Sequence, residues 1–247
     1  VRASLCPDKL NTAQWLEVMA AAHAEGLRTT ATIMYGHIDQ PRHWASHLLH
    51  IRNLQQRTGG FTEFVPLPFV HMEAPMYLKG KARRGPSFRE AVLMHAVARL
   101  VFHGLIDNIQ ASWVKMGRAG VAACLKAGVN DLGGSLMNES ITRAAGSDHG
   151  QEWAPALMEA QIRAAERSPR MRTTLYADAA PKRRSAAFGA ANLVEVHGAS
   201  AGKLQRSKRL LSPVAVPAAA ELLAVNWVQQ SRDAAVYESV VLMAACN

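Results

Sequence analysis

The sequence predicts an α/β fold built on a parallel sheet, and three observations carry that expectation. Strand-like and helix-like stretches alternate four times between about residue 11 and residue 135. The strand-like stretches are nearly continuous in apolar residues, as parallel strands buried on both faces are. The segments that follow them are polar, aromatic or glycine-bearing, and in parallel sheets ligands gather at such C-terminal strand ends. Four strand–helix units make about half of a TIM-type (β/α) barrel. The expected architecture is therefore the C-terminal half of such a barrel, followed by a poorly structured tail.

The elements follow in order. Asn11-Thr12 caps a helix that runs through Trp15, Leu16 and Met19 to Gly26, where glycine ends it. Leu27 to Met34, rich in Thr and Ile, reads as a strand and leads into Tyr35-Gly36-His37. Asp39-Gln40-Pro41 opens the next helix, which carries Trp44, Leu48, Ile51 and Leu54 and stops at Gly59-Gly60. Phe61 to Val65 is the second strand, with Pro66-Leu67-Pro68-Phe69 behind it. A long loop spans Val70 to about Ser87, of a length that is functional or disordered in most proteins. A helix over Phe88–Phe102, a third strand over Ile106–Val114, a short helix over Arg118–Ala127 and a fourth strand over Val129–Leu132 complete the pattern.

After about Asp178 the rhythm is lost. Residues 1–178 read as the barrel part and 179–247 as a basic, Ala-rich tail, disordered or loosely helical, in which Ala218 to Gln230 is long enough for one helix. The chain carries 28 Lys and Arg against 19 Asp and Glu, a net charge of +9. Residues 180–247 hold eight of those cations against four acids, so the excess is densest in the tail. The tail lacks interleaved aromatics, which argues against a nucleic-acid partner. No run of about 18 apolar residues occurs, so no membrane span is expected, and a soluble cytoplasmic protein is. Cys6, Cys124 and Cys246 stand far apart and match neither a metal site nor a disulfide framework.

The strand-end motifs carry a resemblance. Tyr35-Gly36-His37, Gly59-Gly60-Phe61-Thr62-Glu63-Phe64-Val65-Pro66-Leu67-Pro68-Phe69, Ile109-Gln110-Ala111-Ser112-Trp113-Val114-Lys115, Asn130-Asp131-Leu132-Gly133-Gly134 and Ile141-Thr142-Arg143-Ala144-Ala145-Gly146-Ser147-Asp148-His149-Gly150 stand in order along residues 1–178. Together they resemble the radical S-adenosylmethionine enzymes of deazaflavin synthesis, and within these the tyrosine-using half of FO synthase, the 5-amino-6-(D-ribitylamino)uracil–L-tyrosine 4-hydroxyphenyl transferases. The aminofutalosine synthases of menaquinone synthesis are a related alternative, and a non-catalytic truncated product is another. The resemblance implies S-adenosylmethionine and a [4Fe–4S] cluster as cofactors, L-tyrosine and the ribityl-aminouracil as substrates, and the ring-closing half of FO synthase as a partner. It also implies a Cys-x3-Cys-x2-Cys motif upstream of Val1. Cys6 and Cys124 do not replace it, because three cluster ligands converge from one short loop. The chain alone is therefore expected to be inactive, and none of its residues is assigned to a metal.

Nine residues are candidates for contact with substrate or S-adenosylmethionine. His37 follows a strand and a glycine, which points its imidazole at the strand-end mouth, and Tyr35 is a wall residue beside it. Gln110 and Ser112 share a face of the third strand, and polar side chains there are expected to face the barrel interior. Lys115 is placed to neutralise a carboxylate, and Glu63 is an inward carboxylate. Asn130 and Asp131 precede Gly133, which allows close backbone approach, and Asp131 can accept from sugar hydroxyls. His71 and Glu73 in the long loop are lid candidates. His43, His47, His50, His95 and His103 fall on helices and are expected to pack or face solvent.

Overall fold

The computed structural model of the chain describes residues 1–136, 138–193 and 241–245. A one-turn helix α1 (Arg2–Leu5) precedes α2 (Thr12–Ala24), whose N-terminus is closed by reciprocal bonds between Asn11 and Gln14, each 3.0 Å. Strand β1 (Thr29–Tyr35) follows, then α3 (Pro41–Thr58), with proline in its first turn and Gly59 ending it in the left-handed region. Strand β2 (Phe61–Pro68) pairs with β1 in parallel along its whole length. The long loop after it contains only the one-turn α4 (Pro75–Leu78) before Ser87 and Glu90 form the capping box of α5 (Phe88–Val101). His103 lies just beyond α5 rather than on it.

The third strand departs from expectation. β3 is two residues, Asn108–Ile109, parallel to β2, and the chain leaves the sheet after Gln110. Helix α6 (Trp113–Lys126) begins well before Arg118. Its buried positions explain the misreading, since Trp113, Val114, Gly117, Gly120, Val121, Cys124 and Leu125 recur at helical spacing. The segment Ile106 to Val114, expected as one strand, is thus shared between a loop, a short strand and a helical first turn. Ser112 consequently does not share a strand face with Gln110, because it is the residue before α6. Strand β4 (Asp131–Gly134) joins the sheet through a parallel bridge between Gln110 and Asp131.

Beyond β4 lie the one-turn α7 (Ile141–Ala144), α8 (Pro155–Ala164), β5 (Ser168–Arg172) and α9 (Pro181–Gly189). Strand β6 (Val241–Ala245) lies between β4 and β5 and is antiparallel to both. The sequence pattern did not reveal β5, whose Ser-Pro-Arg-Met-Arg holds a proline and two arginines and no β-branched or aromatic residue. Residues 179–247, expected to be poorly structured, contribute α9 and β6 among the described residues. The helix expected at Ala218 to Gln230 lies outside them.

Strand β1 alternates strictly, with Ala31, Ile33 and Tyr35 buried against the helices and Thr30, Thr32 and Met34 on the other face. The expected burial of both faces holds in the middle of β2, at Phe64, Val65 and Pro66, and fails on β1. Phe64 meets Phe102 with ring centroids 4.9 Å apart, and Tyr35 meets Trp44 edge-on at 5.3 Å. Gln55 stitches α3 to the strand starts. Its Nε2 donates to the carbonyls of Phe61 and Leu105 at 3.0 and 2.9 Å, and its Oε1 accepts from Phe61 N–H at 2.8 Å. The outer edge of β1 is blunted by His47, whose ring nitrogen donates to the Thr32 carbonyl at 3.0 Å. Burial pushes the His47 pKa down to about 4, so the ring is neutral near pH 7. No helix among the described residues is long and apolar enough to cross a membrane.

Candidate functional site

Three groups of side chains stand out around the sheet, two at the C-terminal strand ends and one nearer the strand starts. The first sits where β1 ends. Gly36 takes φ +93° there, and a Cβ on it would lie 2.3 Å from Pro86 Cδ, so only glycine fits. The turn wraps around Asp39. Its carboxylate accepts from Gly36 N–H at 2.9 and 3.0 Å, from His37 N–H at 2.7 Å and from the Trp44 indole. His37 is buried, with Nδ1 3.0 Å from Asp39 Oδ1 and its ring edge-on to Phe69 at 6.0 Å. Burial pushes the Asp39 carboxyl up, but the hydrogen bonds from His37, Gly36 and Trp44 outweigh it and hold the group well below the carboxylate range. Asp39 therefore holds the turn that carries His37 through the backbone N–H groups, while His37 Nδ1 accepts from Ile38 N–H at 2.7 Å. Sequence reasoning gave Asp39 only the role of a helix start.

The second group lies on the inner face of the sheet, opposite the helices. Arg172 of β5 directs Nε and Nη2 at Asp131 Oδ2, at 2.7 and 2.5 Å, and Nη2 is 3.4 Å from Glu63 Oε2. Tyr176 donates its hydroxyl to the same Glu63 oxygen at 2.6 Å, and the guanidinium stacks 3.9 Å over the Tyr176 ring. Thr30 donates to the other Glu63 oxygen at 2.9 Å, and Gly133 N–H donates to Asp131 Oδ1 at 2.8 Å. Burial raises the Asp131 pKa, and the Arg172 guanidinium and the Gly133 N–H pull against it. Burial also raises the Tyr176 hydroxyl, which remains a donor. Gln110 leans on this group, since a Cβ on Gly133, which has φ +69°, would lie 3.1 Å from its Oε1. Arg172 and Tyr176 escaped sequence reasoning. The alternating Arg170, Arg172 and Tyr176 after a helix were the available signal.

The third group surrounds a cavity of about 350 Å³ at the strand ends, lined by β1 and β2 termini, the loop before α4, the first turn of α6, and α7. Lys115 reaches it because α6 is broken at Gly117, where φ +62° and ψ 177° interrupt the helix. Burial lowers the Lys115 pKa, and the Glu139 carboxylate opposes that drop. Glu73, expected in a lid, lines the same cavity and its N–H donates to Ala145 at 3.0 Å. His71 packs on Tyr77 at 4.7 Å.

The structure thus gathers Glu63, Asp131, Gly133 and Gln110, and sets Lys115 at the cavity. It places the other candidates elsewhere. Tyr35 is fully buried between β1 and α3, its hydroxyl without a hydrogen-bond partner among the described residues. Ser112 starts α6, its carbonyl accepting from Lys115 and Met116 N–H at 3.1 and 2.9 Å. Asn130 turns away from Asp131, its Oδ1 accepting from Arg99 at 2.7 Å and Ile109 N–H at 2.9 Å. Cys124 is buried in the core and Cys6 lies in the N-terminal segment. No group of three or more His, Cys, Asp or Glu suited to a metal exists among the described residues.

Known proteins share this stretch of sequence. The family described as "CofH/MqnC C-terminal region" matches residues 58–183. The protein named 5-amino-6-(D-ribitylamino)uracil–L-tyrosine 4-hydroxyphenyl transferase of Methanopyrus kandleri is 53% identical over 176 residues, 71% of this chain and 48% of that protein. The protein of the same name from Methanocaldococcus jannaschii is 48% identical over 71% of this chain and 49% of its own length. The protein named FO synthase of Mycobacterium tuberculosis strain H37Rv is 52% identical over 177 residues, 72% of this chain and 21% of that protein. The chain thus spans about half the length of the transferases and a fifth of that of the synthase. The matched segment holds Glu63, Asp131, Arg172 and Tyr176, and every residue lining the cavity except Met34. By that match over half of its length, the chain belongs to the CofH/MqnC C-terminal-region family.

Proposed function

We propose that the chain forms the substrate-side half of a radical S-adenosylmethionine transferase, which joins the 4-hydroxybenzyl group of L-tyrosine to 5-amino-6-(D-ribitylamino)uracil on the route to FO and coenzyme F420. The observation that carries the reading is the coincidence of the family match with the cavity at the strand ends and the charge group on the inner face of the sheet. In this reading residues 1–178 are half of a barrel, the open face of β1 is part of its interior wall, and 179–247 is an appended tail. The ring-closing half of FO synthase acts next, as a separate protein or domain. Site residues on this side are His37, Glu63, Gln110, Lys115, Asp131 and Gly133, with Tyr35, Ser112 and Asn130 supporting the wall behind them.

S-adenosylmethionine and a [4Fe–4S] cluster belong to the reading. The described residues do not fit the cluster, because no three ligands converge among them. The described residues by themselves are expected to form no product. What the chain's own residues do is bind and orient. Asp39 holds the turn that carries His37, the Arg172 group holds β2, β4 and β5 at one spacing, and the cavity offers apolar wall to a ring.

The test is equilibrium binding. Isothermal titration of the full chain with 5-amino-6-(D-ribitylamino)uracil and with L-tyrosine is expected to show saturable binding of both. Failure of both to bind at millimolar concentration would overturn the reading.

A further inference from the structure

The cavity at the strand ends combines apolar walls with two opposite charges. At about 350 Å³ it sits at the small end of ligand pockets, which run from roughly 300 to 1,000 Å³. Phe69, Pro68, Met34 and Ile141 form apolar wall, and Met34 and Ile141 are 55% and 81% exposed. Large apolar side chains left open beside a cavity favour a ring laid against them. The charged residues lining it are Lys115 and Glu73.

Lys115 is the informative one. Among the described residues no hydrogen bond or ion pair holds its ammonium, and only the charge of Glu139 acts on it. Glu139 accepts from Thr142 N–H at 2.8 Å with Oε1, while Oε2 is buried without a hydrogen-bond partner. The lysine is therefore a partly desolvated cation lacking a direct counter-ion, the setting in which a ligand carboxylate gains most. Glu73 supplies an acceptor on the same cavity.

We propose that this cavity is a clamp for a free aromatic α-amino acid, with Lys115 on its carboxylate, Glu73 on its ammonium and its ring against Phe69 and Ile141. The inference rests on the transferase reading, and makes the cavity the seat of its amino-acid substrate. Glu139 acts through Lys115, as a positioning residue that favours the charged ammonium. The ribityl-aminouracil carries no carboxylate to satisfy Lys115. S-adenosylmethionine carries the zwitterion but adds a nucleoside, which the small volume disfavours.

The experiment measures binding to the full chain and to the Lys115→Met and Glu73→Gln variants. The ligands are L-tyrosine, tyramine, 3-(4-hydroxyphenyl)propionate, S-adenosylmethionine and the ribityl-aminouracil. In the unaltered chain, loss of either charged group from the ligand is expected to weaken binding about tenfold or more. K115M is expected to weaken tyrosine by a similar factor and leave tyramine unchanged. E73Q is expected to weaken tyrosine and leave the propionate unchanged. Equal binding of the three ring ligands to the unaltered chain overturns the clamp without recourse to a variant. Tyrosine affinity unchanged by both substitutions, or S-adenosylmethionine bound more tightly than tyrosine in the same cavity, also overturns it. In each of these cases the ribityl-aminouracil still binds if the transferase reading holds, and does not if that reading fails too.

Discussion

Arg172 is buried to within 3% of its side-chain surface, and its charge is held there by Asp131, which is fully buried, and Glu63. Removing one member of a buried ion pair leaves the other charge uncompensated, at a cost of about 3–5 kcal/mol. Arg172→Met is expected to lower unfolding free energy by that order in urea titration, and Arg172→Met with Asp131→Asn to recover part of the loss. Equal stability of R172M and the unaltered chain would remove the group's structural role. Asp39 makes a second prediction. Its native pKa lies below the unfolded carboxyl value of about 3.9, so its stabilisation is present above that pH and is lost as pH falls through the native value. Asp39→Asn is expected to flatten the fall of melting temperature below about pH 4. An acid limb identical in both proteins would refute this. Of these residues only Glu63 and Asp131 stood out in the sequence, because acids close to glycine pairs in strand-like segments are visible by type and spacing. Arg172 joins them from 41 positions beyond Asp131, a distance that no local pattern encodes.

Helix α6 shows the same division at the level of an element. Its apolar periodicity is present in the sequence, but an apolar run opening a helix looks like a strand until its start is known. The break at Gly117 sets the first turn, with Lys115, at the cavity while Val121, Cys124 and Leu125 fill the core. Gly117 sits in a backbone region open essentially to glycine alone. Gly117→Ala is expected to cost about 1–3 kcal/mol, read as a lower melting temperature. It is also expected to weaken tyrosine binding by moving Lys115. Full stability with full affinity would mean that the break does not position the lysine.

At the scale of the whole molecule, the sheet is open. Among the described residues β1 pairs on one side only, and Thr30, Thr32 and Met34 leave its inner face uncovered by helices. An exposed strand edge is a template for pairing with another chain, and His47 occupies only one of its carbonyls. Self-association that rises with concentration is expected in sedimentation velocity. Thr32→Lys, a charge placed on that strand, is expected to reduce it. A monomer at all concentrations would show that the edge is already protected.

The alternation of elements, the cap at Asn11 and the polar strand ends were determined by the sequence alone, because each depends on residues within a turn or a strand of one another. Part of the candidate site was legible for the same reason, as Glu63, Lys115, Asp131 and Gly133 are marked by residue type within or just after strand-like segments. The tertiary structure decided the rest. It turned Asn130 outward to Arg99 and buried Tyr35 against Trp44. It also brought Arg172 and Tyr176 onto Glu63, across 109 and 113 residues. Which way a side chain points, and what charge it meets, depends on how the sheet and helices pack, and that packing joins residues whose separation in the chain carries no local signal.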